Sequence, residues 1–270
     1  MRIVTNTELI RRNRRMANIL FFFSMGVLIA GFLVANLQLT ATDGLSLALS
    51  VILPWIVLPI GLISTLASVR MTNLWVRRPR PEDAIPAGLK GMSKRSTLYN
   101  YYHFPARHVL IAPQGVFAII TRYQDGAYSV TGDKWQSQGG PFAALGRFFR
   151  RDGIGSPNEE AQKAADFVKG LLVDKLPDIQ VQPLIIFVDP RARVEINEPT
   201  IPVLFAHEDK EPNLRDYMRE LSQQQQSTGE TQPASQKKKP DKSKPDSQPE
   251  STSYTPEQIA DALEEATVLE

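Results

Sequence analysis

Two long apolar runs near the N-terminus limit what this chain can fold into more than any other feature. Residues 16–69 carry a single charged side chain, that of Asp43, which separates the two runs. Each run exceeds the roughly 20 apolar residues that a helix needs to cross a bilayer. The sequence therefore predicts a membrane segment over 16–70 with two transmembrane helices, at about 17–37 and 45–69.

Neither a signal peptide nor a buried hairpin fits these runs as well as a membrane segment does. A cleaved signal peptide has an apolar stretch of roughly 7–15 residues, shorter than the first run, and a second span follows here. A buried hairpin of a soluble protein would need a surrounding core that this 270-residue chain is too small to build. Pro54 and Pro59 lie in the second run, where a membrane helix tolerates proline with a kink.

Arginines flank the membrane segment on both sides, whereas the stretch between the two runs has neither lysine nor arginine. Because basic flanks stay in the cytoplasm, we expect the basic N-terminus (1–15) and the C-terminal part there, with the hairpin tip outside. The expected location is the cell membrane, with the lipid bilayer as a partner. Alternatively, the arginines before the first run form a patch that binds nucleic acid or anionic lipid. The flanking residues are Arg11, Arg12, Arg14, Arg15, Arg70, Arg77, Arg78 and Arg80.

The composition excludes several classes of site. The absence of cysteine excludes a disulfide scaffold, a Cys-ligated zinc site, an iron–sulfur cluster and a thiol nucleophile. With three histidines, a histidine-rich metal centre is not expected, so no cofactor is predicted from these counts. The net charge of +2 is too small to indicate a nucleic-acid-binding protein by bulk charge.

The polar remainder begins with a proline-rich linker (71–86), expected to be extended, and continues into a body over 87–221. Short turns between the first three strands favour an antiparallel meander. A helix is expected to begin after Ser156, and another over 213–221 closes the body. This order of elements predicts a small α/β domain with a mixed sheet and flanking helices. Strands are predicted at 108–112, 116–123, 127–131, 181–189 and 202–206.

Beyond the body, residues 222–254 contain almost no apolar side chains and are expected to form a disordered linker. The last segment, 255–270, differs, because its apolar residues recur at helical spacing after a capping threonine. It predicts a short amphipathic helix. Such a helix either docks a protein partner through 255–269 or folds back on its own chain.

Three segments of the body carry a common pattern. Residues 108–126 begin HisValLeuIleAlaProGlnGlyValPhe, residues 156–160 read SerProAsnGluGlu, and residues 181–188 read ValGlnProLeuIleIlePheVal. In this order, over about 98–221, they resemble the nuclease-related domain family, NERD. The resemblance implies a restriction-endonuclease-like fold of the PD-(D/E)xK class. In that class an Asp and a Glu hold Mg²⁺, and a Lys orients or activates water.

The residues at those positions depart from the family pattern. Arg107 stands at the position of the Asp, Ile120 at that of the Glu, and Arg122 at that of the Lys. Glu160 stands at a Gln-like position on the helix. Isoleucine cannot bind a metal, a cation at 107 would repel Mg²⁺, and arginine does not serve as a base. The resemblance therefore implies a degenerate, inactive site.

Two alternative hypotheses for this region stay open. In one, the acids Asp125, Asp133 and Glu160 form a relocated metal site, and the domain is a Mg²⁺-dependent nuclease. In the other, the domain is purely a protein-interaction scaffold of the membrane. Each of the three acids also has an ordinary structural role, in a turn or in the first turn of a helix.

The same changes also support binding without cleavage, because arginine forks hold phosphate well. The expected function is therefore that of a membrane-anchored, cytoplasmic NERD-like domain, without catalysis, that binds nucleic acid or another phosphate or acts as a scaffold. The candidate ligand-binding residues are Arg107, His108, Arg122, Arg147, Arg150 and Arg151.

Overall fold

The computed structural model describes residues 1–36, 44–138, 153–229 and 254–268. Two long helices stand at the N-terminal side, and both are long and apolar enough to cross a membrane. Many of their large apolar side chains are exposed, Trp55 by 78% and Phe22 by 64%. The second helix continues through Pro54 and Pro59. This is the surface expected of helices whose surroundings are lipid.

The described residues form six helices and nine strands, of which six build one mixed sheet and three a smaller one. The helices are α1 (Thr7–Asn36), α2 (Gly44–Trp75), α3 (Pro81–Gly88), α4 (Pro157–Leu172), α5 (Leu214–Gly229) and α6 (Pro256–Val268). The strands are β1 (Arg2–Thr5), β2 (Thr97–His103), β3 (Ala106–Ala112), β4 (Gly115–Arg122), β5 (Ala127–Thr131), β6 (Lys134–Gln138), β7 (Val181–Phe187), β8 (Arg193–Asn197) and β9 (Val203–Phe205).

The larger sheet has the strand order β1-β2-β3-β4-β7-β9. Strands β2, β3 and β4 are antiparallel to one another. Three pairs are parallel: β1 with β2, β7 with β4, and β9 with β7. The prediction of an α/β domain with a mixed sheet is confirmed. The predicted third strand of the meander is not part of this sheet: β5 pairs with β6 and β8 in the smaller sheet.

Alternation along the central strands buries both faces of the larger sheet. On one face, Val109 of β3 and Ala118 of β4 pack with α4 and α6 in a first apolar core. On the other face, Leu110 and Phe117 pack with α3 and α5 in a second core. The sheet is therefore the middle layer of three, and its central strands are apolar on both faces for this reason.

Three segments differ from their predicted form. The N-terminal residues are not merely a basic arm, since β1 adds a strand to the sheet. The linker expected to be extended contains the helix α3, whose Ile85 is buried. Helix α5 runs to Gly229, eight residues past the predicted end of the body, while 230–253 lie outside the described residues. Each segment gains its order from contacts that lie far away in sequence.

The C-terminal helix α6 lies against its own domain. It begins with a reciprocal cap, in which Thr255 Oγ1 accepts from Gln258 N at 3.3 Å and Gln258 Oε1 accepts from Thr255 N at 2.9 Å. Its Ile259 and Leu263 are buried in the first core. Of the two predicted possibilities, docking on a partner or folding back, the structure shows the second.

Candidate functional site

Four of the residues singled out by the family resemblance meet on one face of the larger sheet. In the antiparallel register of β3 and β4, His108 faces Ile119 and Val109 faces Ala118, so Arg107 falls beside Ile120. Because alternate residues of a strand share a face, Arg107, Ile120 and Arg122 point to the side covered by α4. The first turn of α4 brings Glu160 to the same place.

Arg122 and Glu160 form a two-pronged ion pair. Arg122 Nη1 donates to Glu160 Oε2 at 3.1 Å, and Nη2 lies 3.0 Å from Oε1. The arginine is only 8% exposed, whereas the glutamate side chain is 55% exposed. Arg122 Nε is buried and makes no hydrogen bond within the described chain. A nearly buried guanidinium is thus neutralised by a carboxylate that reaches it from solvent.

Arg107 is the second cation of this face. It is partly buried, and neither a hydrogen bond nor an ion pair joins its guanidinium to any residue that the structure describes. Burial lowers the pKa of Arg107, Tyr101 and Glu160 oppose that shift, and the charge of Arg122 adds to it. Because arginine stays protonated in proteins, the site holds two positive charges for the one carboxylate of Glu160. The surplus charge favours an anionic ligand.

His108 belongs to a different environment. Alternation along β3 turns it to the face opposite Arg107, where it is fully buried. Its Nδ1 lies 2.8 Å from Asn100 Oδ1, and its ring packs against Tyr101 with the ring centroids 4.8 Å apart. Burial, with a smaller contribution from Arg107, lowers its pKa to about 3. His108 is therefore a neutral structural residue and does not lie among the arginines.

The acids of the relocated-site hypothesis have separate partners. Asp125 pairs with Arg77 and Arg191, while Asp133 accepts a short hydrogen bond from Asn158. Glu160 pairs with Arg122, as described above. No group of three or more His, Asp or Glu side chains in the described parts of the chain could hold a metal ion. The arginines predicted to extend the basic cleft, Arg147, Arg150 and Arg151, lie outside the described residues.

A ring of alternating charges, which the sequence analysis did not predict, lies at the edge of the sheet. Arg77 Nη2 lies 2.9 Å from Asp125 Oδ2 and 3.3 Å from Asp189 Oδ2, and Arg191 Nη2 lies within 3.1 Å of both oxygens. Burial opposes ionisation of Asp189, but hydrogen bonds from Arg191 and the charges of Arg191 and Arg77 lower its pKa. Asp125 and Asp189 follow the strands β4 and β7, which are parallel. Because the carboxyl ends of parallel strands lie at one edge of a sheet, this arrangement could have predicted that the two acids meet.

This part of the domain lies directly beside the apolar helices α1 and α2. The Trp75 ring at the end of α2 packs on Tyr101, with ring centroids 5.1 Å apart. Tyr101 Oη donates to Glu82 at 3.0 Å, and Glu82 pairs with Arg14 of α1 at 2.6 Å. Tyr99 is likewise buried, so neither tyrosine offers a free ring on which a base could stack.

The charges of Arg107 and Arg122 decide which ligands this face of the sheet can bind. Two guanidinium groups on one face of the sheet can together bind a phosphate, and Ile120 of β4 supplies no group able to bind a metal. No protein-family model, no curated protein and no solved structure matches this chain.

Proposed function

We propose that this protein is a membrane-anchored α/β domain that binds a phosphate group at Arg107 and Arg122 without cleaving it. We further propose that the domain is a degenerate, restriction-endonuclease-like member of the NERD family. The observation that carries both proposals is the meeting of Arg107, Ile120, Arg122 and Glu160 on one face. These are the four positions at which the resemblance implies the nuclease site.

Loss of cleavage follows from the side chains present. A PD-(D/E)xK site needs two carboxylates that bring Mg²⁺ to the scissile phosphate. Ile120 has no ligand atom, and the charges of Arg107 and Arg122 oppose the approach of a divalent cation. The same two charges attract the phosphate itself, so the change converts a cleaving site into a binding site.

The burial of Tyr99 and Tyr101 removes two of the rings on which bases could stack, leaving the 40% exposed Tyr102 on β2, and so favours a ligand held mainly by its phosphate. Single-stranded nucleic acid gains much of its affinity from stacking on exposed aromatic rings. Tyr99 and Tyr101 are 2% and 4% exposed and have hydrogen-bond partners of their own. A phosphomonoester, on a metabolite or on the end of a nucleic acid, fits the paired arginines best.

The membrane anchor is proposed as two spans with both ends in the cytoplasm. Strand β1 precedes α1, and β2 follows α2, yet the two strands are neighbours in one sheet. This pairing supports a topology in which the N-terminus and the domain lie on the same side of the membrane, as two spans would give. The arginines on both flanks indicate that this side is the cytoplasm.

The test is a combined cleavage and binding assay with the full chain in detergent. Labelled single- and double-stranded DNA and RNA, with and without a 5′ phosphate, are incubated with Mg²⁺, Mn²⁺ or EDTA. Binding without cleavage that Arg107→Gln and Arg122→Gln weaken is the expected result. Arg219→Gln, an exposed arginine paired with Asp216, is the matched control.

Two different outcomes would each favour an alternative. Metal-dependent cleavage that Asp125→Asn or Asp133→Asn abolishes would establish a nuclease with relocated acids and contradict the proposal. Absence of both cleavage and binding would leave a protein-interaction scaffold, in which α6 would have to leave its place in the first core to reach a partner.

A further inference from the structure

An open, shallow cavity of about 770 Å³ lies along one face of α1, where the helix leaves the domain, and all its lining residues belong to α1. Its upper part is lined by the polar residues Arg11, Arg15 and Asn18, and its lower part by Ile19 and Phe22. The cavity therefore changes from cationic to apolar along the helix axis.

The arginines of this face differ in what they already bind. Arg14 donates from Nε to Trp75 O at 3.1 Å and from Nη2 to Glu82 at 2.6 Å, so it joins the hairpin to the domain. Arg11 and Arg15 are exposed, and no residue in the described part of the chain pairs with either. Two guanidinium groups one helical turn apart are thus available to an anion.

The apolar end of the cavity lies at the depth of lipid tails. Phe22 is 64% exposed and Ile19 is 52% exposed, and both belong to the stretch apolar enough to cross a membrane. At 1.5 Å per residue, Phe22 is about 16 Å below Arg11 along the axis. That span is shorter than the roughly 20–22 Å from the headgroup region to the bilayer midplane, so Phe22 would lie within the hydrocarbon of the same leaflet.

We propose that this face of α1 binds one anionic phospholipid, with the headgroup phosphate between Arg11 and Arg15 and an acyl chain along Ile19 and Phe22. The site is separate from Arg107 and Arg122, and the proposal rests only on the membrane-spanning part of the proposed function. Its ligand is a lipid rather than a free anion, because half of the cavity is apolar and faces the hydrocarbon.

The test is native mass spectrometry of the full chain in detergent, titrated with phosphatidylglycerol and, for comparison, with phosphatidylcholine. Each of Arg11→Gln and Arg15→Gln is expected to weaken phosphatidylglycerol binding about fivefold, since each arginine near the surface contributes to anionic-lipid attraction. Arg12→Gln is the matched control. Arg12 has the same charge at the same depth, but it lies about 100° around the axis from Arg11 and does not line the cavity.

A saturable single lipid per chain, lost with Arg11→Gln and Arg15→Gln but not with Arg12→Gln, would support the site. An equal loss in all three variants would show only diffuse attraction and overturn it. Competition by inorganic phosphate as strong as by phosphatidylglycerol would also overturn it, because the acyl chain would then contribute nothing. Extraction of the chain from membranes by alkaline carbonate reports separately on whether it spans the bilayer.

Discussion

At the scale of single residues, the site is governed by competition for Arg122. The carboxylate of Glu160 occupies the guanidinium edge that a phosphate would have to use. Water screens the exposed carboxylate, but Arg122 is nearly buried and needs a counter-charge. Any anion that binds Arg122 must therefore displace Glu160 or lie beside its charge.

Replacing Glu160 tests that competition directly. We expect Glu160→Gln to tighten the binding of inorganic phosphate about tenfold, because one charge-assisted hydrogen bond no longer has to be broken. Glu159→Gln is the control, since Glu159 is exposed on the same helical turn and should change affinity less than about twofold. Isothermal titration of the three proteins measures the difference. Equal phosphate affinities of all three proteins would contradict the prediction that Glu160 competes with the ligand for Arg122.

The second residue-scale prediction concerns acid and His103, which is 4% exposed. Burial lowers its pKa from 6.5 to about 4, although Glu264 opposes the shift. The folded state therefore resists protonation of His103. Neutral His103 therefore contributes fully to the free energy of unfolding above pH 6.5. As the pH falls from 6.5 toward 4, that free energy decreases by about 1.4 kcal/mol per pH unit.

Urea unfolding at a series of pH values measures this slope. Between pH 6.5 and 4, the number of protons taken up on unfolding should be about one lower in His103→Gln than in the unchanged protein. The remaining pH dependence in the same direction comes from the buried His108. A variant with an unchanged slope would show that His103 titrates normally in the folded protein.

At the scale of elements, α6 is held on the larger sheet by both polar and apolar contacts. Its polar residues reach the sheet: Tyr99 Oη donates to Glu264 at 2.7 Å, and His103 Nε2 lies 2.9 Å from Thr267 Oγ1. Its apolar residues fill the first core beside α4. The helix is thus a part of the domain, joined to α5 by a long connection.

Truncating one core side chain of α6 measures how firmly the helix is held. Leu263 is fully buried, so Leu263→Ala should destabilise the domain by about 2–5 kcal/mol. The exposed Glu257→Ala, on the same helix, should cost less than about 0.5 kcal/mol. Thermal unfolding followed by circular dichroism gives both values. A negligible effect of Leu263→Ala would mean that α6 is undocked for much of the time, as a partner-binding helix would be.

At the scale of the whole molecule, the hairpin of the two apolar helices, α1 and α2, is joined to the domain at several points. Strand β1 enters the sheet in front of α1, and Arg14 of α1 pairs with Glu82 of α3. Behind α2, Arg77 enters the ring of charges with Asp125 and Asp189. The α1–α2 hairpin is therefore attached to the domain both before α1 and after α2.

The absence of cysteine allows a clean test of the membrane topology. Single substitutions Ile3→Cys, Thr42→Cys and Asp174→Cys are labelled with a membrane-impermeant maleimide in sealed vesicles of known orientation. Ile3→Cys and Asp174→Cys should react from the cytoplasmic side, and Thr42→Cys only from the other side. Labelling of all three from one side would show that the apolar helices do not span the membrane.

The elements that could be predicted are those whose signal is local. The two apolar helices, the strands β3, β4 and β7, and the start of α4 after Ser156 all follow from runs, turns and caps within a few residues. Hydrophobic period and turn chemistry are carried by neighbouring residues, so one sequence is enough to predict them. The positions of Arg107, Ile120 and Arg122 on one face follow from the same alternation along strands.

What only the tertiary structure decided involves residues far apart in the chain. The short β1 has no periodicity of its own and becomes a strand only by pairing with β2, more than 90 positions later. Strand β5 joins β8 rather than β4, and α6 packs on its own sheet, because shape and buried area select between partners that look alike locally. The pairing of Arg122 with Glu160 likewise depends on which face of the sheet α4 covers. The same holds for the burial of His108 on the opposite face. Periodicity along the chain determines the elements and their apolar faces, whereas long-range packing determines which faces and charges come together.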